Sequence, residues 1–307
     1  MNFSLSDEQQ MLADSVRRLV QGQADVALRY ADKSLATPDP VLWRQFAEAG
    51  WLAVPFAEDD GGLGMGRVET MVLMEELGRG LVRSPYLATV VLGGGLLRRA
   101  EAPLRARYLP DLIDGRLQLA FALDEYERAF APENTAVTAR PDGDAFILDG
   151  TKAAVLNGAD ADRLVVLARN GGQPGDVQGL TLFLLDPAAD GVRVSPHRMV
   201  DGYPAAQVML EGVRVAAGDR IGVAGEGLTI AQDVVDEGIL ALGAEAVGAL
   251  SRLLDDTVEY SKTRKQFGVP IGNFQALQHR MADMFMHLEQ TRSLLLAATL
   301  KIAEGHD

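Results

Sequence analysis

The stretch from Glu259 to Met284, EYSKTRKQFGVPIGNFQALQHRMADM, decides the fold of the C-terminal part of this chain. It joins two apolar-periodic segments through a Val-Pro-Ile-Gly-Asn turn. Lys262, Arg264 and Lys265 form a basic island in a chain whose formal net charge is −14. Such an island favours a small anionic ligand, although cations also collect at the end of a solvated helix. The sequence around the stretch is needed to separate these two interpretations.

Apolar residues recur at helical spacing on both sides of the stretch. Residues from about 225 to 264 sustain the pattern, with Gly243 and Gly248 placed where another helix could approach closely. After the turn, Asn273 is predicted to cap a second helix, FQALQHRMADMFMHLEQTRSLLLAATLKIAE. Residues 223–307 are therefore predicted to form a helical domain.

Two further regions precede it. Residues 1–115 have helical periodicity, and Ser6 is predicted to cap the first helix. The glycine-rich segment FAEDDGGLGMG is predicted to be a turn, because it lacks the Lys-Ser/Thr of a phosphate-binding loop. Residues 116–222 contain short β-rich runs separated by Gly, Asp, Pro and Asn. We predict an α+β protein, in which an antiparallel barrel or sandwich lies between two helical domains.

Composition excludes several classes of function. The acidic balance, 29 basic against 43 acidic side chains, argues against nucleic-acid binding. The absence of cysteine excludes disulfides and thiolate catalysis. The four histidines have no metal-ligand spacing, so no metal site is predicted. The sequence has no secretory signal and no transmembrane run, and we expect a cytoplasmic protein that does not bind membranes.

The stretch YSKTRKQFGVPIGNFQALQHRMADM resembles the signature of the acyl-CoA dehydrogenase family. SDEQQMLADSVRRLV resembles the family's first helix, and GWLAVPFAEDDGGLGMGRVETMVLMEELGRG resembles the loop and helix that follow. GDAFILDGTKAAVLNGADADRLVVLAR is similar to the middle domain, so the resemblance covers nearly the whole chain in family order. It implies bound FAD, an acyl-CoA substrate, and homo- or hetero-oligomers with shared flavin sites. It also implies a C-terminal domain that is short relative to the family.

The resemblance assigns a cofactor role to three residues of the opening stretch. The family's Arg-x-x-Phe-Gly element is present as Arg264, Phe267 and Gly268, with Gln275 downstream. In the family this element reaches a neighbouring subunit's FAD. Arg264 would pair with the pyrophosphate through its planar fork of donors. Phe267 would pack along the cofactor, and Gln275 would supply hydrogen bonds.

The segments that would hold the chain's own flavin depart from the family pattern. Relatives usually carry Thr-Glu-Pro and then a glycine-rich turn, whereas this chain has Asp124 and Glu125 followed by the bulky residues 126–128. Relatives also carry Lys-x-Trp-Ile-Thr-Asn-Gly, whereas Ala154 and Leu156 replace the Trp and the Thr here. The first change crowds a phosphate cradle. The second removes a stacking surface and a hydroxyl donor.

The catalytic base is the third departure. Dehydrogenation of an acyl thioester requires a carboxylate that removes the α-proton while hydride leaves the β-carbon. Most relatives of the family carry this base in C-terminal helices that this sequence does not contain. Some carry it on the helix before the Arg-x-x-Phe-Gly element, where Gly238 and Ile239 stand here. Glu237 is one residue away and is the candidate base, although a solvated structural carboxylate is the alternative. Asp236 matches a substrate-contacting aspartate of the family.

Three hypotheses follow from these patterns. The chain is a working FAD-dependent acyl-CoA dehydrogenase, a subunit that lends its arm to a partner's FAD, or a structural protein on the same fold without flavin. The element that serves a neighbour is kept, whereas the elements that serve the chain's own flavin are lost. This pattern favours the second hypothesis over the third. By analogy with heteromeric relatives in bacterial steroid degradation, a bulky acyl-CoA is then possible.

Overall fold

The computed structural model describes residues 5–21, 39–128 and 130–304. Helices occupy the N-terminal part, as predicted. Their bounds are Asp7–Gln21 (α1), Pro40–Glu48 (α2), Arg67–Arg79 (α3), the π-helical turns Leu87–Gly93, Gly94–Leu97 (α4) and Ala102–Ile113 (α5). None of the helices in the described ranges is long and apolar enough to cross a membrane.

The middle part forms one eight-stranded sheet. Its order is β6-β7-β3-β2-β4-β5-β8, and β1 pairs with β4. Most pairs are antiparallel, but β1 and β2 each run parallel to β4, which the sequence did not predict. The strands are Leu119–Ala122 (β1), Thr138–Asp142 (β2), Ala145–Leu156 (β3), Arg163–Arg169 (β4), Leu180–Leu185 (β5), Val192–Arg198 (β6), Pro204–Ala216 (β7) and Arg220–Ile221 (β8).

The C-terminal part contains two long helices joined by a small hairpin. Helix α6 covers Gly227–Thr263 and helix α7 covers Gln275–Ala303. Strands Lys265–Gln266 (β9) and Val269–Pro270 (β10) form the hairpin, and a short 3-10 turn, Ile271–Asn273, follows. The prediction that Asn273 caps α7 was wrong. Asn273 lies inside the 3-10 turn, and Phe274 occupies the cap position without a side-chain hydrogen bond.

The chain divides into two compact units. Among the described residues, a helical unit contains residues 5–21, 66–82 and 239–304, and a sheet-containing unit contains residues 39–65, 83–128 and 130–238. The predicted boundaries of three domains, at residues 115 and 222, stay a prediction. The sheet-containing unit has a closely packed core built from alternate faces of its strands, with Leu164, Val166 and Phe183 fully buried.

Glycines let the helices of the helical unit approach closely, as predicted for α6. A Cβ on Gly248 would lie 1.8 Å from the carbonyl oxygen of Glu75, and a Cβ on Gly78 would lie 2.0 Å from that of Glu245. Only glycine leaves room for backbone contact of this kind. Ser6 caps α1 as predicted, because its Oγ accepts from the N–H of Gln9 at 3.2 Å.

Candidate functional site

The Arg-x-x-Phe-Gly element, residues 264–268, projects from the helical unit as a two-residue hairpin. Phe267 and Gly268 form its tip with φ values of 52° and 81°. Two successive positive φ values are typical of the tight turns that suit the twist of a hairpin. The N–H of Ile271 donates to the carbonyl of Arg264 at 2.8 Å and closes the base of the hairpin. The element is therefore held in one conformation by its own backbone.

The side chains of this hairpin are left open to solvent. Phe267 is 91% exposed and contacts Phe274 only edge to face, at 6.2 Å between ring centroids. Lys262 is paired with Glu259 at 2.6 Å. Arg264 is exposed, and within the described ranges its side chain has no hydrogen-bond or ion-pair partner. The tip thus presents an aromatic face close to an uncompensated cation.

Gln275 lies beside the hairpin as the first residue of α7 and is exposed. The side chain of Phe274 cannot accept the first N–H groups of this helix, which leaves donors directed outward at its positive end. Arg264, Phe267 and Gln275 are thus all exposed within one short segment, and their role in cofactor binding stays a prediction. The combination suits a ligand with an aromatic ring and a phosphate. We use the term FAD arm for residues 264–275.

In the sheet-containing unit, the described residues of the loop at 124–128 and 130–134 make several hydrogen bonds within the chain. Asp124 Oδ1 accepts from the N–H of Phe130 at 3.3 Å, and Arg128 Nη1 donates to the carbonyl of Asn134 at 3.0 Å. The N–H of Ala153 donates to the carbonyl of Asp124 at 2.8 Å, which places the loop next to β3. A backbone donor that could face an anion is therefore taken by a carboxylate of the chain itself.

A buried ion pair lies under this loop. Lys152 is fully buried, and its Nζ donates to Glu125 Oε1 at 2.9 Å and to the carbonyl of Leu123 at 2.8 Å. Glu125 also accepts from the N–H groups of Ala136 and Val137. Burial lowers the pKa of Lys152 to about 8, although Glu125 opposes this shift. Burial would raise the pKa of Glu125, but the Lys152 ammonium outweighs it and holds that pKa below its usual value.

The altered segment around Ala154 lies beside Asp124 of the altered loop. Ala154 has a φ of 49° and lies in the irregular stretch of β3 between Lys152 and Val155. Its methyl group offers no surface on which a flavin ring could stack. Leu156 is half-buried and has no polar atom to donate. The two departures, far apart in sequence, therefore alter one local region.

Glu237, the predicted base, is buried between two guanidinium groups. Arg98 Nη2 donates to both of its carboxylate oxygens, at 2.5 and 2.6 Å, and Arg99 Nη2 donates to Oε1 at 3.0 Å. Its side chain is 8% exposed. A carboxylate held in this way is stabilised as the anion and is a poor proton acceptor. Asp236, the predicted substrate contact, is exposed one residue away on the same helix.

Three family models match the chain in order. Residues 6–116 match the acyl-CoA dehydrogenase N-terminal domain, residues 120–213 the middle domain and residues 225–307 the C-terminal domain. The chain is also 30% identical over 319 residues to the L-prolyl-[peptidyl-carrier protein] dehydrogenase of a Serratia species, covering all of this chain and 81% of that protein. The chain belongs to the acyl-CoA dehydrogenase family.

Solved structures support the same conclusion. The FAD complex of PigA has a TM-score of 0.91 and 30% identity, covering all of this chain and 82% of that chain. The Tcur3481-Tcur3483 steroid ACAD has a TM-score of 0.86 and 31% identity, covering 98% of this chain and 80% of that chain. The predicted fold class and the predicted membership of a flavoprotein family of oxidoreductases are confirmed.

The fit to the family cofactor, FAD, differs between the two sites of this acyl-CoA dehydrogenase homologue. The FAD arm fits the ADP end, since it presents a free cation, an exposed ring and outward helix donors. The region of Asp124, Ala154 and Leu156 does not fit the flavin end, because it offers neither a free backbone cradle nor a stacking ring nor a hydroxyl. By the chemistry of the described residues, the arm fits FAD and the region around Asp124 does not.

Sequence reasoning missed two charged clusters of this family member. It did not predict that Lys152 pairs with Glu125, although both residues stand at positions that the family motifs contain. It also did not predict that Arg98 and Arg99 hold Glu237. The two consecutive arginines that follow the glycines at 93–95 indicated a charged cluster. The sequence spacing does not show which carboxylate they contact. Among the described residues, no group of three or more His, Cys, Asp or Glu side chains is arranged to hold a metal ion.

Proposed function

We propose that this chain is a subunit of an FAD-dependent acyl-CoA dehydrogenase, and that it contributes its FAD arm to a flavin held by a partner subunit of the same family. The assembly acts on an acyl-CoA thioester, and the partner supplies the flavin cradle. The contrast between the two sites supports the proposal most directly. The arm keeps the family's residues and is exposed, while the positions expected to hold the chain's own flavin lack a stacking ring and a hydroxyl, and Asp124 accepts a backbone N–H of its own loop.

In this proposal Arg264 forms an ion pair with the cofactor's pyrophosphate. Its guanidinium would meet the pyrophosphate, with Phe267 against the cofactor and Gln275 as a hydrogen-bond donor. An unpaired exposed arginine can be ordered by a phosphate at little desolvation cost. Asp236 is proposed to face the acyl-CoA on the grounds of its family position and its exposure.

A partner of the same family is favoured over a second copy of this chain, because a second copy would bring the same altered flavin region. The similarity to the Tcur3481-Tcur3483 steroid ACAD supports a heteromeric assembly and a bulky acyl group by analogy. A cytoplasmic location also stays a proposal. The runner-up function is a structural partner subunit whose arm contacts no flavin.

The flavin content of purified preparations tests the proposal. The chain purified alone is expected to be nearly colourless, whereas co-expression with a family member from a neighbouring gene is expected to give a yellow complex. In that complex, Arg264→Gln is expected to lower FAD occupancy about tenfold, the size of effect expected when one charge-assisted hydrogen bond is lost. Arg140→Gln, a change at another exposed arginine, serves as the matched control.

Two results would contradict the proposal. Stoichiometric FAD on the lone chain would show that its own flavin region functions. FAD occupancy that is unchanged by Arg264→Gln would remove the arm from the cofactor and would support the structural runner-up.

A further inference from the structure

Two aromatic side chains of the sheet-containing unit, Tyr126 and Phe130, are held in solvent by a tight turn. The N–H of Arg128 donates to the carbonyl of Glu125 at 3.0 Å and closes this β-turn. Tyr126 and Glu127 are its central residues, and Tyr126 is 68% exposed. Phe130 is 94% exposed and has a φ of 63°, which is rare for a bulky residue. We use the term acidic turn for Tyr126, Glu127 and Phe130.

Carboxylates outnumber cations around the acidic turn. Apart from the buried pair of Glu125 and Lys152, residues 124–128 and 130–134 carry one guanidinium, that of Arg128, and the three carboxylates of Asp124, Glu127 and Glu133. Glu127 is exposed, and no side chain in the described part of the chain forms an ion pair with it. The surface therefore combines two apolar rings with an uncompensated negative charge.

The FAD arm presents the opposite charge beside a similar ring. Residues 264–275 contain two exposed cations, Arg264 and Lys265, and no carboxylate. Phe267 at the tip of the arm is 91% exposed and also has a positive φ, of 52°. The acidic turn and the FAD arm are thus complementary in charge, and each holds one phenylalanine in solvent at a backbone cost.

We propose that the FAD arm of one copy of this chain docks on the acidic turn of a second copy, where the arm's two cations face Glu127 and the exposed rings pack together. A two-fold pair makes this contact twice, because each copy carries both surfaces. Covering Tyr126, Phe130 and Phe267 in both copies removes roughly 1,000 Å² of surface from water. An interface of this size supports a specific but weak and reversible pair.

This inference goes beyond the proposed function and does not depend on it. The proposed function concerns a flavin held by a partner subunit, whereas this contact joins two copies without flavin. One arm cannot hold a partner's FAD and cover a second copy's acidic turn at the same time, so the partner is expected to displace the second copy. A lone chain that stays monomeric would overturn the self-pairing, and the flavin content of the co-expressed complex would still test the proposed function.

Charge reversal on each surface tests the contact. The purified chain is expected to dimerise reversibly with rising concentration in analytical ultracentrifugation. An exposed ion pair contributes little by itself, so neutral replacements are insensitive, whereas like charges in contact repel each other. Glu127→Arg and Arg264→Glu are each expected to raise the dissociation constant of the dimer about tenfold. Combining the two changes is expected to restore the original value, because the ion pair forms again with its charges exchanged.

Two further variants show whether the effect is local. Glu48→Arg reverses an exposed carboxylate elsewhere in the sheet-containing unit, and this control is expected to leave the dissociation constant unchanged. Phe130→Asn removes the ring but suits the positive φ, so we expect an unchanged circular dichroism spectrum and a dimer weakened about tenfold.

Three results would overturn the inference. The first is a chain that is monomeric at every concentration. The second is a dimer that neither charge reversal weakens, because such a dimer uses another surface. The third is a combined variant that dimerises as weakly as the single variants, because the two charges then do not face each other.

Discussion

The buried pair of Lys152 and Glu125 gives a prediction that depends on pH. Replacing Glu125 by Gln keeps the size of the side chain but removes the charge that faces the ammonium at 2.9 Å. Gln has one acceptor oxygen instead of two and no charge, so it cannot compensate Lys152, and its amide NH2 cannot accept the Ala136 N–H that donates to the second carboxylate oxygen. Because breaking a buried pair from one side leaves an uncompensated charge, we expect a loss of about 3 kcal/mol in the free energy of unfolding at pH 7.

The pH dependence follows from the pKa of Lys152, which burial lowers to about 8. An unfolded lysine has a pKa of about 10.4. Between these two values the unfolded state binds more protons, so this group makes the folded state more stable as pH rises from about 8 to 10.4. Without Glu125 the folded pKa of Lys152 falls further, because the carboxylate raises it in the unaltered protein.

The size of the pH effect on stability follows from the same two pKa values. At pH 7, which is below this folded pKa, Glu125 helps to keep Lys152 charged, and this contribution is on the order of 1 kcal/mol. Above pH 8 the lysine of the unaltered protein also loses its proton, and this contribution disappears. The destabilisation caused by Glu125→Gln should therefore be smaller at pH 9 than at pH 7, by on the order of 1 kcal/mol.

Urea unfolding followed by circular dichroism at pH 7 and pH 9 measures this difference. Glu127→Gln, a change at an exposed carboxylate of the same loop, is the control and is expected to have little effect at either pH. Equal destabilisation by Glu125→Gln at both pH values would refute the reasoning, because it would mean that Lys152 does not titrate in this range. No destabilisation at pH 7 would refute the pairing itself.

Three further predictions concern single positions and are measured by the same unfolding experiment. Gly248→Ala is expected to cost about 2 kcal/mol or more, because its Cβ would lie 1.8 Å from the carbonyl oxygen of Glu75; a stabilised variant would show that these helices are not in contact. Arg169→Lys is expected to lower the free energy of unfolding by about 2 kcal/mol, because an ammonium cannot replace a guanidinium that donates to five backbone carbonyls. An unchanged midpoint of urea unfolding would contradict those contacts. Phe267→Asn is expected to stabilise the chain by up to about 1 kcal/mol, since Asn tolerates the positive φ and the exposed ring contributes little packing. The same variant should lower the FAD content of the complex. An unchanged FAD content would argue against a role of the ring in cofactor binding.

Local patterns were sufficient to predict most elements of the fold. Alternation and turn residues located the strands between 119 and 221, and helical periodicity located α6 and α7. Parallel pairing of β1 with β4 was not predicted, since it depends on contacts between strands that lie 40 or more residues apart. The cap of α7 was misplaced for a local reason. Asn273 is a good cap residue, but the turn that begins at Ile271 already uses it as a 3-10 position.

The candidate site was predictable to different degrees in its two parts. The FAD arm lies within one short segment, so its sequence pattern was enough to predict that Arg264, Phe267 and Gln275 share one exposed element. The environment of Glu237 was not predictable, because it depends on Arg98 and Arg99, which lie more than 130 residues earlier. Spacing along a helix indicates which face a carboxylate occupies, but not which side chain another segment brings to it.

The energetics of the two regions support the proposed partner subunit. In the loop at 124–134 and the cluster at Glu237, carboxylates and cations are paired within the chain, as expected where no ligand is to be accommodated. Phe267 instead combines a positive φ with a 91% exposed ring, and Arg264 stands beside it without a counter-ion. A backbone cost of about 1 kcal/mol and an exposed aromatic surface bring no benefit to the chain alone. Their cost is offset only when another molecule covers the ring and neutralises the cation, which is what a partner's FAD would do.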